Sequence, residues 1–344
     1  MLLQLVLLIV GFVLLYYGAE WLVKGSANLA RSLGISSVVI GLTVVAFGTS
    51  APELVVSVIS SIQDKSMIAV GNIVGSNICN IALVLGAAAT LMPIVANKCV
   101  VRRDIPLMLG ISVFLLILSI DSYISRIEGI TLFGGVILYT IFNYYISIKE
   151  SRAAAAAAGF ATSAVGADAS SLAADAIPEA AAEVEEIEKM ESRFKMIVYI
   201  VVGIAGVIIG ADTMIDAACV IMKRFGVSEK FIGLTVVAFG TSLPELATSV
   251  VAAARKQMDI SIGNLVGSNV FNILSVIGAA GIVRPIHIPG GFFESGLIYD
   301  YVAMMFISFL PWLFMRKGLT VKRWNGVLLL CCYAGYLGYL IIQG

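Results

Sequence analysis

The stretch GLTVVAFGTSAPEL, from Gly41 to Leu54, places a carboxylate inside a segment that is otherwise apolar enough for a bilayer. The carboxylate, Glu53, follows a Gly-Thr-Ser break and Pro52. The same stretch returns later in the chain as GLTVVAFGTSLPEL, from Gly233 to Leu246, where Glu245 stands at the matching position.

A second run of residues is repeated at the same spacing. GNIVGSNICN, which ends at Asn80, returns as GNLVGSNVFN, which ends at Asn272. The copies lie 192 residues apart, and residues 41–86 and 233–278 share about 26 identities in 46 positions. One unit is therefore used twice, with an acid in each copy.

The composition is that of a membrane protein that crosses the bilayer several times. The 344 residues are 60% hydrophobic and only 13% charged, whereas a soluble domain carries about 25% charge. The net charge is zero, which gives no reason to expect a nucleic-acid partner. The five cysteines show no metal or disulfide spacing, and no resident cofactor is expected.

A transmembrane helix needs about 20 mostly apolar residues, and ten segments meet that measure. They lie near 2–23, 37–62, 67–92, 104–120, 128–148, 196–222, 230–254, 259–283, 298–315 and 325–342. The predicted fold is an all-α polytopic membrane protein with two five-helix repeats, 1–148 and 196–344. Residues 149–195 form an alanine-rich linker with an acidic patch, for which a solvated linker and a small regulatory cation site are both open readings.

The basic residues predict the orientation of the chain. Sixteen of the 22 Lys and Arg residues fall in loops on one side and six on the other, and the richer side is cytoplasmic. Both termini are then outside and the linker 149–195 is cytoplasmic, in the plasma membrane. Five spans per repeat invert the second copy relative to the first, an arrangement typical of transporters.

Two buried acids need compensation. A carboxylate within the bilayer is costly, and no Lys or Arg lies in the motif segments to pair with Glu53 or Glu245. Protonation or a bound cation remains, and matching acids in both repeats favour a cation site.

The residues around the acids supply further oxygens. Pro52 and Pro244 lack an N–H, which frees a helical carbonyl four residues earlier. Thr49 or Ser50 can cap the half-helix that follows. In the second motif, the residues with a hydroxyl or amide oxygen are Ser76, Asn80, Ser268 and Asn272. Because every candidate ligand is an oxygen, Ca²⁺ and Na⁺ fit better than Zn²⁺ or Cu⁺.

At these motifs the chain resembles the calcium/cation antiporter superfamily, and within it the prokaryotic sodium/calcium exchangers. The resemblance rests on GTSAPE with GNIVGSNICN and on GTSLPE with GNLVGSNVFN. It implies ten helices, of which the first and sixth slide against a core of eight, and it implies four central cation positions.

The resemblance also implies a ligand for each position. Ca²⁺ would be held by Glu53, Glu245, Thr49 and Thr241. The Na⁺ positions would use both glutamates with Ala46, Ser50, Ser76, Ala238, Ser242 and Ser268. Asn80 and Asn272 would occupy the middle site.

The implied function is a sodium/calcium antiporter that extrudes Ca²⁺ by alternating access, exchanging about three Na⁺ for one Ca²⁺. Its partners would be the two ions and the lipid bilayer, and a monomer would suffice. Potassium-dependent relatives carry an acid at the position of Asn272, so this chain is expected to be independent of K⁺. A Ca²⁺/H⁺ antiporter of the same fold is the alternative; a passive channel and an intramembrane enzyme are the weaker ones.

Overall fold

The computed structural model describes residues 1–164, 190–226 and 238–343. The acidic patch of the predicted linker (Glu183, Glu185, Glu186 and Glu188) lies outside the described residues.

Helices account for nearly all of the described chain. In order they are α1 (Leu2–Leu33), α2 (Ser37–Ile40), α3 (Ala46–Thr49), α4 (Ala51–Ile62), α5 (Ser66–Cys79), α6 (Gly86–Leu91), α7 (Ile105–Ser119), α8 (Arg126–Ala164), α9 (Arg193–Arg224), α10 (Ala238–Gly240), α11 (Leu243–Ala254), α12 (Met258–Phe271), α13 (Gly278–Val283), α14 (Leu297–Met315) and α15 (Arg323–Gln343). Wider π-helical turns join or precede several of them, at Gly41–Val45, Asn80–Leu85, Val100–Asp104 and Asn272–Ile277.

Seven described helices are long and apolar enough to cross a membrane. They are Leu2–Leu33, Ser66–Leu91, Arg126–Lys149, Arg193–Arg224, Met258–Val283, Leu297–Met315 and Arg323–Ile342. An eighth is added if the pair Ser37–Thr49 and Ala51–Ile62, bent by 47°, is one span. The fold is thus a multi-pass helical membrane protein.

The predicted count of ten spans is not reached in the described residues, and two segments account for the difference. The segment 104–120 contains only the 15 residues of α7 as regular α-helix, because a π-helical turn precedes it. The segment 230–254 is described only from residue 238, and its helix α11 has 12 residues. Two other segments are longer than predicted: α1 continues to Leu33 and α8 to Ala164.

The extension of α1 carries polar residues that are buried inside the protein. Asn28 is buried, and its Oδ1 accepts a hydrogen bond of 3.1 Å from the backbone N–H of Met190. The helix ends where Gly34 adopts a left-handed conformation, with φ of 65°. Hydropathy alone stops at the last apolar run and misses this polar but buried part.

The two longest fully described helices, α1 and α9, pack against each other through glycines. A Cβ added to Gly18 would lie 2.6 Å from the backbone nitrogen of Val207, and one added to Gly203 would lie 2.5 Å from that of Leu22. Such a close approach of two helix backbones needs residues without side chains. Glu20 of α1 also forms an ion pair with Arg255, which follows α11.

Four two-residue strands qualify the all-α prediction. They are β1 (Ile94–Val95), β2 (Tyr123–Ile124), β3 (Ile286–His287) and β4 (Thr320–Val321). β1 pairs antiparallel with β4, and β2 pairs antiparallel with β3. Each ribbon therefore takes one strand from each half of the chain.

Candidate cation-binding site

Each copy of the first motif breaks its helix at a serine. Ser50, with φ of −82° and ψ of 7°, separates α3 from α4, and Ser242, with φ of −93° and ψ of 4°, precedes α11. A proline follows each break in the first turn of the next helix. Neither serine caps its helix with its side chain, so the expectation that Thr49 or Ser50 caps α4 is wrong for Ser50. Its hydroxyl is instead directed across the protein.

The two acids are fully buried at the centre. Glu53 and Glu245 each have 0% of their surface exposed, and their charges repel each other. Ser50 Oγ donates a hydrogen bond of 3.3 Å to Glu245 Oε1. In the described residues, both oxygens of Glu53 and the second oxygen of Glu245 have no hydrogen-bond partner. Buried acceptors without a donor require an explanation, because each costs free energy.

Further oxygens without a hydrogen-bond partner in the described chain come from the motif residues. They are Ser76 Oγ, Asn80 Oδ1, Thr241 Oγ1, Ser242 Oγ and Asn272 Oδ1. All five belong to the residues that the sequence predicts as ligands. A set of oxygens around two carboxylates, with no basic residue in the same helices, is the donor set of a hard cation.

Two further asparagines orient the amides of the middle positions. Asn272 Nδ2 donates to Asn77 Oδ1 and Asn80 Nδ2 donates to Asn269 Oδ1, both at 3.1 Å. Asn77 and Asn269 in turn donate to each other's backbone carbonyls, at 3.4 and 3.3 Å.

Those carbonyls can only accept hydrogen bonds, so they fix which end of each amide faces which way. Because Asn77 donates its Nδ2 to a carbonyl, its Oδ1 faces Asn272 and accepts a hydrogen bond from the Nδ2 of Asn272. The Oδ1 of Asn272, like that of Asn80, is thereby left free. A π-helical turn begins at each of these two residues, Asn80–Leu85 and Asn272–Ile277, and such turns are frequent at functional sites.

The threonine of the first motif is bonded to the opposite half. Thr49 Oγ1 donates to Asn264 Oδ1 at 3.1 Å and lies 3.4 Å from both Ser268 Oγ and the carbonyl oxygen of Ala46. That carbonyl also accepts from the backbone N–H of Ser50 at 3.0 Å. Ala46, Thr49 and Ser268 are all buried.

A cavity of about 390 Å³ borders two of the predicted ligands. Ser76 and Thr241 line its inner end, and Ser76 is only 3% exposed. Ile68 and Gly71, which are exposed, mark its outer end near the start of α5.

The structure thus brings together most of the predicted ligands. Ser50 donates a hydrogen bond to Glu245, Thr49 lies beside Ser268, and Asn80 and Asn272 belong to one hydrogen-bond network. Ser242, by contrast, forms no described hydrogen bond to Glu53. Ala238 begins the short helix α10, and its side chain is outside the description.

Four asparagines with roles in the site are missing from the predicted set. Besides Asn77 and Asn269, Asn72 donates to Ser57 Oγ and Asn264 to Ser249 Oγ, both at 3.0 Å. Their signal is present in the sequence, because each pair repeats at a spacing of 192 residues inside the second motif. Buried amides in apolar helices need partners, which is reason enough to include them.

Comparisons with known proteins identify the family of the chain. The family profile described as "Sodium/calcium exchanger protein" matches residues 3–149 and 195–342. The chain belongs to the sodium/calcium exchanger family. Within the calcium/cation antiporter superfamily it is of the prokaryotic type, and the family consists of transporters rather than enzymes.

Individual relatives cover nearly the whole of this exchanger-family chain. The chain is 32% identical to the sodium/calcium exchanger MaX1 of Methanosarcina acetivorans, over 96% of both proteins. It is 35% identical to the inner membrane protein YrbG of Escherichia coli, over 96% of this chain and 94% of that one.

A solved structure has the same fold. The sodium-calcium exchanger NCX_Mj, soaked with 2.5 mM Na⁺ and 0.1 mM Ca²⁺, superimposes with a TM-score of 0.77 at 30% identity, over 98% of each chain. With neither ion the TM-score is 0.78. The resemblance to the family is thereby confirmed.

Proposed function

We propose that this protein is a sodium/calcium antiporter that extrudes Ca²⁺ in exchange for Na⁺. One observation carries the proposal: two buried carboxylates, Glu53 and Glu245, stand among oxygens that have no hydrogen-bond donor in the described structure. Membership of the exchanger family and the likeness to NCX_Mj, whose structures concern Na⁺ and Ca²⁺, support the choice of ions.

The ligands are assigned by motif position. Ca²⁺ is held by Glu53 and Glu245 with the backbone oxygens of Thr49 and Thr241. Na⁺ uses the same glutamates with Ala46, Ser50, Ser76, Ala238, Ser242 and Ser268, and the middle position uses Asn80 and Asn272. The free Oδ1 atoms of both asparagines support this last assignment.

Exchange is obligatory because an empty site leaves two desolvated charges that repel each other. The conformational change is then favourable only when cations are bound. With about three Na⁺ for each Ca²⁺, one net charge crosses per cycle, and the membrane potential contributes about 2.3 kcal/mol per 100 mV. Movement of α1 and α9 together against the remaining helices gives alternating access, and their close glycine contact holds the two helices to each other as they move.

The architecture we propose has ten spans in two inverted repeats, 1–148 and 196–344, joined by the linker 149–195. The two ribbons support it: β1 with β4, and β2 with β3, connect loops that lie on the same side only if the second repeat is inverted. The ion pair between Asp64 and Arg284, at 2.8 Å, joins a further such pair of loops.

Both termini are then outside the plasma membrane and the linker is cytoplasmic. A cysteine at Gln343 is expected to react with an impermeant reagent in intact cells, and a cysteine at Ser170 only after the cells are opened. The reverse pattern would invert the topology without affecting the site.

The function is tested with the purified protein in liposomes. Uptake of radioactive Ca²⁺ should follow an outward Na⁺ gradient and should fail with an equal gradient of choline. The same vesicles with a pH gradient and no Na⁺ test the Ca²⁺/H⁺ alternative. Uptake driven by pH alone would replace Na⁺ by protons as the counter-ion, and uptake without any counter-cation would indicate a channel.

A further inference from the structure

The cavity that reaches Ser76 and Thr241 contains an acid that the proposed exchange does not use. Asp300, in the first turn of α14, lines the cavity together with Tyr336 of α15. Its side chain is partly buried. At the inner end, Ser76 Oγ is buried without a hydrogen-bond partner in the described chain. The cavity that borders two of the predicted ligands, Ser76 and Thr241, therefore also contains a carboxylate.

The carboxylate is held in place but not neutralised by any described residue. Tyr336 OH donates a hydrogen bond of 3.0 Å to Asp300 Oδ1. Among the described residues Asp300 forms no ion pair, and Tyr336, being a neutral donor, orients the acid while leaving its charge. The second oxygen is available to a cation in the cavity.

The opposite half of the protein has an aspartate and a tyrosine, Asp104 and Tyr139, at the equivalent positions. Asp104 and Asp300 are each followed after four residues by a buried methionine and after eight by a buried serine. Tyr139 and Tyr336 each stand 13 residues after the arginine that begins α8 or α15. The two aspartate–tyrosine pairs are thus equivalent in the two repeats.

The environments of Asp104 and Asp300 differ in burial and in the partner of the carboxylate. Asp104 is fully buried, and Arg103 Nε donates to its Oδ1 at 2.7 Å. Asp300 accepts a hydrogen bond from Tyr336 and borders a cavity, whereas the hydroxyl of Tyr139 has no hydrogen-bond partner in the described chain. Asp104 is thus buried and neutralised by an arginine, whereas Asp300 borders the cavity and has no ion pair among the described residues.

We propose that Asp300, oriented by Tyr336, is a cation-attracting site in the entrance cavity, where it captures Ca²⁺ before transfer to Glu53 and Glu245. The proposal rests on the proposed exchange function. A cleft lined by negative charge raises the local concentration of cations and their rate of association. Asp300 also lies where an acid stabilises a helix N-terminus, so the tests separate capture of ions from stability of the fold.

The first test is the Ca²⁺ dependence of Na⁺-driven uptake in liposomes of defined orientation. Asp300→Asn should raise KM about tenfold for Ca²⁺ offered at the cavity side, with kcat unchanged and only a small loss of thermal stability from the missing charge at the helix N-terminus. The KM for Ca²⁺ offered at the other side should stay as in the wild type.

Two variants serve as controls in this test. Asp64→Asn removes an exposed acid that lies outside the cavity lining, and it should leave KM unchanged. Tyr336→Phe keeps the acid but removes the bond that orients it, so a smaller rise in KM is expected. If the wild type exchanges Na⁺ for Ca²⁺ and the KM of Asp300→Asn is unchanged, the capture site is refuted. The proposed exchange function is not affected by that result.

The second test needs no transport. Terbium(III), a luminescent substitute for Ca²⁺, emits when a nearby tyrosine is excited, and Tyr336 adjoins Asp300. The double variant Glu53→Gln and Glu245→Gln removes the central site, and a terbium signal should remain in it. Adding Asp300→Asn to this double variant should lower the signal by at least half. Persistence of the full signal in the triple variant would refute the site even if the wild type failed to exchange ions.

Discussion

Thr49 and Thr241 occupy the same place in two copies of one motif, yet their surroundings differ. Thr49 is buried and donates its hydroxyl to Asn264, with Ser268 beside it. Thr241 is partly buried, has no hydrogen-bond partner in the described chain and lines the cavity. Identical residues therefore adopt a closed arrangement in one half and an open one in the other. The comparison shows that access to the site is a property of conformation and is not fixed by the local sequence.

The long helices show the same difference. Glu20 of α1 pairs with Arg255, whereas Asp212, its equivalent in α9, is exposed and has no ion-pair partner among the described residues. Gln63 stands where the second repeat has Arg255. An ion pair thus joins α1 to the residue after α11, and among the described residues the equivalent position in α9 has no ion pair.

The largest effect should come from the acids, for which the two halves are equivalent. Glu53→Gln and Glu245→Gln should each reduce Ca²⁺ uptake by about a hundredfold or more, because an unmatched charge in a buried ion pair costs about 3–5 kcal/mol. Ca²⁺ uptake in liposomes measures this. Glu294→Gln, which alters an exposed glutamate, is the control. Normal flux in either folded variant would contradict the assignment of both ligands.

The next effect should come from the orienting asparagines. Asn77→Ala frees the amide of Asn272 to rotate, and Asn269→Ala does the same for Asn80. Each should weaken cation binding at the middle position by about 10- to 100-fold, as loss of a residue that orients a ligand does, and should raise the KM of exchange more than it lowers kcat. Asn143→Ala, a buried asparagine outside the network, should leave KM unchanged. Equal effects of Asn77→Ala and Asn143→Ala would show that only packing is lost.

A smaller effect is expected at the ion pair between Glu20 and Arg255, which has no described counterpart at Asp212. Its side chains are 25% and 39% exposed, and such pairs contribute about 0.2–1 kcal/mol. Glu20→Gln should therefore shift the balance between open and closed states about two- to fivefold, and a cysteine at Thr241 should be labelled more slowly from the cavity side. Asp212→Asn should not change the labelling rate. Faster labelling in Glu20→Gln would mean that the ion pair favours the other state.

The smallest effect, no change at all, is expected for potassium. Asn80 and Asn272 make the middle positions neutral in both halves, so two glutamates cannot balance Ca²⁺ and K⁺ together. Na⁺-driven Ca²⁺ uptake should proceed at equal rates with K⁺ or choline in the medium, and Asn272→Asp is the variant that should introduce sensitivity to K⁺. A requirement for K⁺ in the wild type would show that a further acid takes part.

Much of the site could be predicted because its residues repeat. Two acids without basic partners, at a spacing of 192 residues, point to a cation whatever the fold. The hydrogen-bond partners could not be derived in the same way, because they join opposite repeats. Ser50 reads as a helix cap within its own segment, and only the folded chain brings it to Glu245.

The span boundaries show a different limit of the sequence. Hydropathy identifies the apolar part of α1 but ends before Asn28, whose amide is buried because Met190 supplies a hydrogen bond from far along the chain. The π-helical turns at Asn80 and Asn272 are equally hidden, since the residues 80–85 and 272–277 read as ordinary helix. Such features depend on packing against helices that are distant in sequence.

The crossed ribbons have a consequence for how this architecture arose. Ile94 lies opposite Val321, and Ile124 opposite Ile286, with all four side chains buried. A single repeat would leave both of its strands, which lie in loops between helices, without a partner, and an unpaired strand edge is prone to pair with another chain. In the inverted-repeat architecture proposed above, a half-length ancestor has to insert in both orientations and pair with an inverted copy of itself. The proposed linker, 149–195, then joins the end of one repeat to the start of the next.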